Sequence, residues 1–192
     1  MKIGLYFGSF NPIHHGHLII ARHILNTESL DQVWFVVSPQ NPFKESNTLL
    51  NEYHRLYLVQ LATEQDVQLK ASDFEFKLPR PSYTIDTLTY LKEEYPKHQF
   101  SVIMGSDSFK NLDKWKNGSI IKRDHPILVY IRPGHEMIEN YEDHSVKILH
   151  APLLDISSSY IREQIKKGKS IRYLVPDLVL EEIEKNGYYK NK

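Results

Sequence analysis

The sequence predicts an α/β fold built on a mostly parallel sheet with helices on both faces. Three observations lead there. Short apolar runs alternate with helix-period segments along the chain. The runs are apolar on successive residues, as in strands buried on both faces, which is the habit of parallel sheets. Small-residue turns follow two of the runs at once, Gly8-Ser9-Phe10-Asn11-Pro12 and Gly105-Ser106-Asp107-Ser108. Together these give a doubly wound, Rossmann-like arrangement with right-handed crossovers and ligands bound beyond the carboxyl ends of the strands.

The first strand is residues 2–7, Lys2 to Phe7, and the first helix is 16–27. Val33-Trp34-Phe35-Val36-Val37-Ser38 is a second strand, followed by a helix over 51–64. A third strand at 67–71 precedes a helix over 84–95. Gln99-Phe100-Ser101-Val102-Ile103-Met104 is the fourth strand, leading into a helix over 106–116. Strands at 126–131 and 146–150 follow, then helices at 157–167 and 177–186. Pro176 before the last helix and Gly187 after it are start and stop signals. Two long polar connections, 39–50 and 72–83, are rich in Pro, Asn and Ser, and long loops in compact domains often cover a site.

A chain of 192 residues is long enough to bury a core as one domain over 1–192, with a helical segment at about 157–189 packed on it. Charge balances at 24 basic against 24 acidic residues, which weighs against a nucleic-acid binder. The absence of cysteine excludes a disulfide scaffold, a thiolate zinc site and a cysteine nucleophile. The first strand is too short for a signal peptide and no apolar run approaches membrane-spanning length. A cytoplasmic location without a membrane partner is the expectation.

Five stretches carry candidate chemistry. In the first, Gly8, Ser9, Phe10 and Asn11 lead from a strand to His14-x-Gly16-His17 at a helix start. Unpaired N–H groups and the helix dipole favour an anion there. An isolated histidine pair would read as two surface residues, and no carboxylate completes a zinc ligand set; the strand before and the helix after raise the anion reading. In the second, Ser157-Ser158-Ser159 opens a helix with Arg162 one turn in. One serine suffices as a cap, and three with a guanidinium suit a polyphosphate. The nearby Lys166, Lys167, Lys169 and Arg172 read as a solvated face.

The third is Lys44 in Pro39-Gln40-Asn41-Pro42-Phe43-Lys44, a loop lysine placed to swing over a phosphate. The fourth is Ser82-Tyr83-Thr84-Ile85-Asp86-Thr87-Leu88, a helix start with Thr84 as its cap. The fifth joins Gly105 and Asp107, whose carboxylate can accept ribose hydroxyls, to Trp115, which reads as a stacking platform or a partly buried core residue.

In this order the motifs carry a resemblance. Gly8 to His17 resembles the first signature of the HxGH nucleotidyltransferase superfamily, and Ile156-Ser157-Ser158-Ser159-Tyr160-Ile161-Arg162 resembles its second. The Ser82 to Leu88 segment is similar to that of the bacterial nicotinate mononucleotide adenylyltransferase family, and the likeness runs from residue 1 to about Tyr188. It implies adenylyl transfer from ATP to nicotinate mononucleotide, yielding the deamido dinucleotide and pyrophosphate, with Mg²⁺ held mainly through the ATP phosphates and no protein metal site. It implies His14 and His17 at the ATP phosphates, Ser158, Ser159 and Arg162 on the β- and γ-phosphates, and Lys44 at the phosphates. Gly8, Ser9, Phe10, Gly105 and Asp107 fall on the ATP side, and Asn11, Ser82, Tyr83, Thr84 and Trp115 on the pyridine-nucleotide side. Many members carry Asp where this chain has Asn11, which argues against a direct metal role at that position.

A phosphate monoester nucleophile is ionised near neutral pH and needs no general base, so catalysis would rest on alignment and charge neutralisation by His14, His17, Lys44 and Arg162. The alternatives are a pantetheine-phosphate adenylyltransferase, which lacks the Ser82 to Leu88 segment, and a non-catalytic nucleotide sensor, which need not keep transition-state groups. The choice between nicotinate and nicotinamide, the closure of loops on substrate and the oligomeric state, a homo-oligomer included, stay open at this level.

Overall fold

Gly8 and Gly105 end two adjacent strands of one six-stranded parallel sheet. The structure is a computed structural model and describes residues 1–40, 49–132, 134–135, 143–152 and 154–190. In chain order its elements are β1 (Lys2–Gly8), α1 (His15–Thr27), β2 (Gln32–Val37), α2 (Glu52–Thr63), β3 (Leu69–Ser72) and a 3-10 turn at Phe74–Lys77. Then come α3 (Thr84–Glu94), β4 (Gln99–Gly105), α4 (Ser106–Phe109), a 3-10 turn at Leu112–Lys114 and α5 (Gly118–Asp124). β5 (Ile127–Tyr130), β6 (Val146–Leu149), α6 (Ser158–Lys166) and α7 (Asp177–Asn186) complete the order. The sheet order is β3-β2-β1-β4-β5-β6. Every pairing is parallel, with Tyr6 opposite Ile103 across the central pair. The chain thus winds outward from β1 through β3, then returns to wind the other way from β4. The reversal between β1 and β4 leaves the crevice where such sheets bind ligands.

Strand alternation explains why the runs looked apolar throughout. Val33, Phe35 and Val37 of β2 face one core layer, Trp34 and Val36 the other, and β5 divides likewise into Leu128 and Tyr130 against Ile127 and Val129. The first layer is covered by α1, α2, α6 and α7, through Ala21, Ile24, Leu58, Val59, Ile161, Ile165, Val179, Leu180 and Ile183. The second is covered by α3 and α5, through Ile85, Leu88, Leu91 and Ile121. Helices therefore lie on both faces, as expected.

One expected element is replaced. The helix anticipated over 106–116 is instead the single turn α4, a 3-10 turn and a separate helix, α5, with no counterpart in the sequence reading. Asn111 turns its side-chain amide back to donate to the Asp107 carbonyl (2.9 Å), competing with helix continuation. Asn117 sits in the left-handed region (φ 54°), and a Cβ on Gly118 would run into the Leu112 carbonyl. Trp115, within this broken stretch, packs against the second core layer.

Candidate active site

The chain leaves β1 through a turn that folds on itself. Phe10 adopts a left-handed backbone (φ 43°), and its ring returns over Gly8, where a Cβ would lie 2.8 Å from it. That ring packs edge-on against Tyr6, Phe35 and His17. Phe10 is thus a core residue that shapes the turn.

His14 takes the N-cap position of α1 in an extended conformation, and the His15 N–H donates to the Leu174 carbonyl (3.0 Å). The His14 and His17 rings stack, with centroids 3.7 Å apart, and the His14 N–H donates to His17 Nδ1 (3.3 Å). The pair is therefore a preformed unit, with Gly16 leaving room beside it: a Cβ there would stand 3.0 Å from His14 Nδ1. His14 is buried, and its Nδ1 has no hydrogen-bond partner among the described residues.

Burial, then the positive charges of Arg132 and His15, hold the His14 imidazole at about 4, below its ordinary 6.5. An imidazole held this low presents an N–H donor near neutral pH rather than a fixed charge. The consequence for stability has a definite sign. The folded state resists protonation, so the unfolded chain takes up this proton first as pH falls below 6.5, and stability drops until pH reaches about 4. The slope is up to about 1.4 kcal/mol per pH unit, roughly 3 kcal/mol across the window. Unfolding midpoints of His14→Gln followed from pH 7 to 4 should be flatter than wild type; parallel curves would remove this burial effect.

The start of α6 is stitched to the same turn. Ser157 accepts from Tyr160 N–H as an ordinary cap (3.1 Å). Ser158 Oγ donates to the Pro12 carbonyl (2.8 Å), and Arg162 donates to the Asn11 carbonyl (2.7 Å) and to Ser159 Oγ (3.2 Å). Two helix starts thus converge on one place. Asn11 Oδ1 accepts from Leu50 N–H (3.2 Å), a bond that an amide oxygen makes as well as a carboxylate would. Lys166, Lys167, Lys169 and Arg172 are exposed, as read.

At the carboxyl end of β4, Asp107 Oδ2 accepts from Arg132 (3.0 Å), while its buried Oδ1 has no partner among the described residues. Arg132 also lies over the Tyr130 ring, and its backbone N–H donates to Ser106 Oγ (2.9 Å). Burial, and after it the Asp107 carboxylate, raise the Tyr130 hydroxyl above its ordinary range, against the lowering effect of Arg132 and of the hydrogen bond its oxygen accepts from the Tyr6 hydroxyl (3.0 Å). On the far side, α3 starts at Thr84 with Tyr83, not Thr84, as its N-cap, and without a side-chain cap. The sequence reading of Thr84 as the cap is corrected: the backbone is still extended at Tyr83, so Thr84 already belongs to the first turn.

A cavity of about 780 Å³ joins all of these parts. Every site residue taken from the sequence lines it, with one exception: Lys44 lies outside the described residues. The two ends of the connection that carries Lys44, Ser38 and Leu49, do line it. Arg132 and Glu75 line it too and were missed in the sequence. Arg132 had a signal, a cation directly beyond a predicted strand's carboxyl end; Glu75 had none, being one acid in a polar connection.

A doubly wound parallel sheet whose central crevice opens onto two converging helix starts defines a nucleotidyltransferase of the cytidylyltransferase-like class, and the model of the Cytidylyltransferase-like family matches residues 5–164. A Flavobacterium johnsoniae protein named probable nicotinate-nucleotide adenylyltransferase is 52% identical over 193 residues, covering 99% of this chain and 100% of its own. A protein of the same name from Bacteroides thetaiotaomicron is 44% identical, covering 95% of this chain and 91% of its own. The chain belongs to the nicotinate-nucleotide adenylyltransferase family. Among solved structures, Plasmodium falciparum nicotinic acid mononucleotide adenylyltransferase complexed with NaAD shares the fold at a TM-score of 0.84 and 22% identity, covering 98% of this chain and 97% of that one. Among the described residues no helix is long and apolar enough to cross a membrane.

Proposed function

We propose that this chain transfers the adenylyl group of ATP to nicotinate mononucleotide, forming nicotinate adenine dinucleotide and pyrophosphate. One observation carries the reading beyond family membership. A single cavity runs from the histidine pair and the α6 start, which suit a triphosphate, to the α3 start with Tyr83, Thr84 and Trp115, which suit a second, aromatic substrate.

One P–O bond forms, from a phosphate oxygen of the mononucleotide to the α-phosphorus of ATP. One breaks, from that phosphorus to the oxygen leading to the β-phosphate, and its electron pair leaves with pyrophosphate. The nucleophile arrives ionised, so no side chain has to remove a proton. His14 and His17 donate at the α-phosphate, where negative charge shifts in the transition state. Arg162 and the hydroxyls of Ser158 and Ser159 receive the leaving diphosphate at the second helix start. Asp107, which lines the cavity at the carboxyl end of β4, takes the ribose hydroxyls. Lys44 is assigned to the phosphates by family resemblance alone.

Mg²⁺ belongs to the proposal as a companion of ATP. In this reading its ligands are mainly phosphate oxygens and water. Bound there, it neutralises phosphate charge.

The test is pyrophosphate release from ATP and Mg²⁺ with nicotinate mononucleotide, nicotinamide mononucleotide or phosphopantetheine, each alone. Release is expected with the first well above the others. Equal rates with the two pyridine nucleotides would overturn the substrate assignment, faster release with phosphopantetheine would point to the pantetheine-phosphate reaction, and none with any would leave a sensor.

A further inference from the structure

Glu75 sits in the 3-10 turn between β3 and α3 and is 2% exposed. Ser82 Oγ donates to its Oε2 (2.6 Å), and Thr87 Oγ1 donates to its Oε1 (3.1 Å). The Ser38 hydroxyl, just beyond β2, bonds the same carboxyl group. One carboxyl group thus gathers hydroxyls from the end of a strand and from both sides of a helix start. Ser82 and Thr87 are themselves buried, and they bracket Tyr83 and Thr84, which line the cavity.

The α3 start is otherwise weakly anchored. α2 and α6 have side-chain caps, from Asn51 and Ser157, while α3 has none. The Asp86 and Thr87 N–H groups fold back to the Tyr83 carbonyl. Other polar anchorage of this region among the described residues includes the ion pairs of Arg80 with Glu52 and Lys116 with Asp86 at the surface, and Lys116 over the Tyr83 ring. Such pairs contribute little. The buried hydroxyl bonds to Glu75 are therefore the buried polar ties of the α3 start, beside the packing of Ile85 and Leu88. Those hydroxyls are directed to Glu75, so they are not what the segment offers a substrate.

We infer that Glu75 is a positioning residue for acid-versus-amide selection: by holding Ser82 and Thr87 it fixes the start of α3 against the carboxylate of the pyridine ring without touching the substrate. This rests on the substrate reading proposed above. A rigid set of N–H donors prefers a group with two acceptor oxygens. A carboxamide has one oxygen and an NH₂ that faces those donors unfavourably, so it is accommodated only if the segment can turn. Burial pushes the Glu75 carboxyl up from its ordinary range, and its three hydroxyl donors oppose that shift.

Glu75→Gln keeps the shape but replaces one acceptor oxygen with a donor, so Ser82 and Thr87 can no longer both donate. The expected result is a fall of about tenfold or more in the ratio of kcat/KM for nicotinate mononucleotide to that for nicotinamide mononucleotide, with KM for ATP within about threefold of wild type. Thr87→Val, which removes a single hydroxyl at nearly constant shape, should lower the ratio in the same direction by less. It also stands in if Glu75→Gln does not fold. General damage would lower both specificity constants together, so an unchanged ratio in a folded variant overturns the inference. A wild-type chain that does not use nicotinate mononucleotide removes the substrate reading and this one with it. A wild type that does, beside variants of unchanged ratio, removes this one alone.

Discussion

His14→Ala should lower kcat by about a hundred- to a thousandfold while KM for ATP stays within about threefold, and His17→Ala should do the same. The reason is differential binding. A donor aimed at charge that develops only in the transition state contributes to the rate and not to ground-state affinity. The stacked rings, 3.7 Å apart, make the two histidines one unit, so the double variant should lose less than the product of the single losses. Burial holds the His14 imidazole low, so the role to be tested is that of a donor rather than a charge. His14→Gln should then retain more activity than His14→Ala, since an amide still donates. Steady-state kinetics with ATP titration decide the matter. Equal losses in kcat and in ATP affinity would place the histidines in ground-state binding.

The parts of this site that could be read from the sequence share one property: local chain order places them. His14 and His17 are three residues apart on a helix start, and Ser158, Ser159 and Arg162 fall within one turn of another. Gly8 and Gly105 end apolar runs. What could not be read depends on partners from distant elements. His14 is depressed partly by Arg132, which arrives from the end of β5. Glu75 looks like a solvated loop acid until Ser82 and Thr87 close on it. Phe10 has the left-handed backbone usually left to glycine or asparagine, because its ring is held by Tyr6 and Phe35. The 106–116 segment has helical composition, and the Asn111 side chain that turns back to the Asp107 carbonyl, with the backbone demands of Asn117 and Gly118 beyond it, breaks it. Arg55 illustrates the same limit most sharply, because on α2 it reads as a surface residue.

Arg55→Met should destabilise the fold by about 5 kcal/mol, and Arg55→Lys by about half as much. Arg55 is fully buried. Its Nε donates to the Leu50 carbonyl (2.8 Å), Nη1 to those of Ser9 (2.6 Å) and Ser38 (2.8 Å), and Nη2 to that of Pro39 (3.0 Å). Burial pushes its pKa down, but a guanidinium stays charged in proteins. Methionine of similar length fills the space and leaves four carbonyls without this donor, each costing about 1–3 kcal/mol if buried and unmet. Against a total stability of about 5–15 kcal/mol, that loss approaches global unfolding. Lysine keeps the charge but not the planar fork, so it can reach only some of the four. Urea unfolding of both variants measures the difference, and a Met variant within about 1 kcal/mol of wild type would mean that the carbonyls find other donors. The acceptors also say where a folded Lys variant should suffer. Ser9 belongs to the phosphate turn, and Pro39 and Leu50 bracket the connection that carries Lys44. A loosened clamp frees the turn and both ends of that connection together, so kcat should fall in Arg55→Lys even at temperatures where the protein remains fully folded.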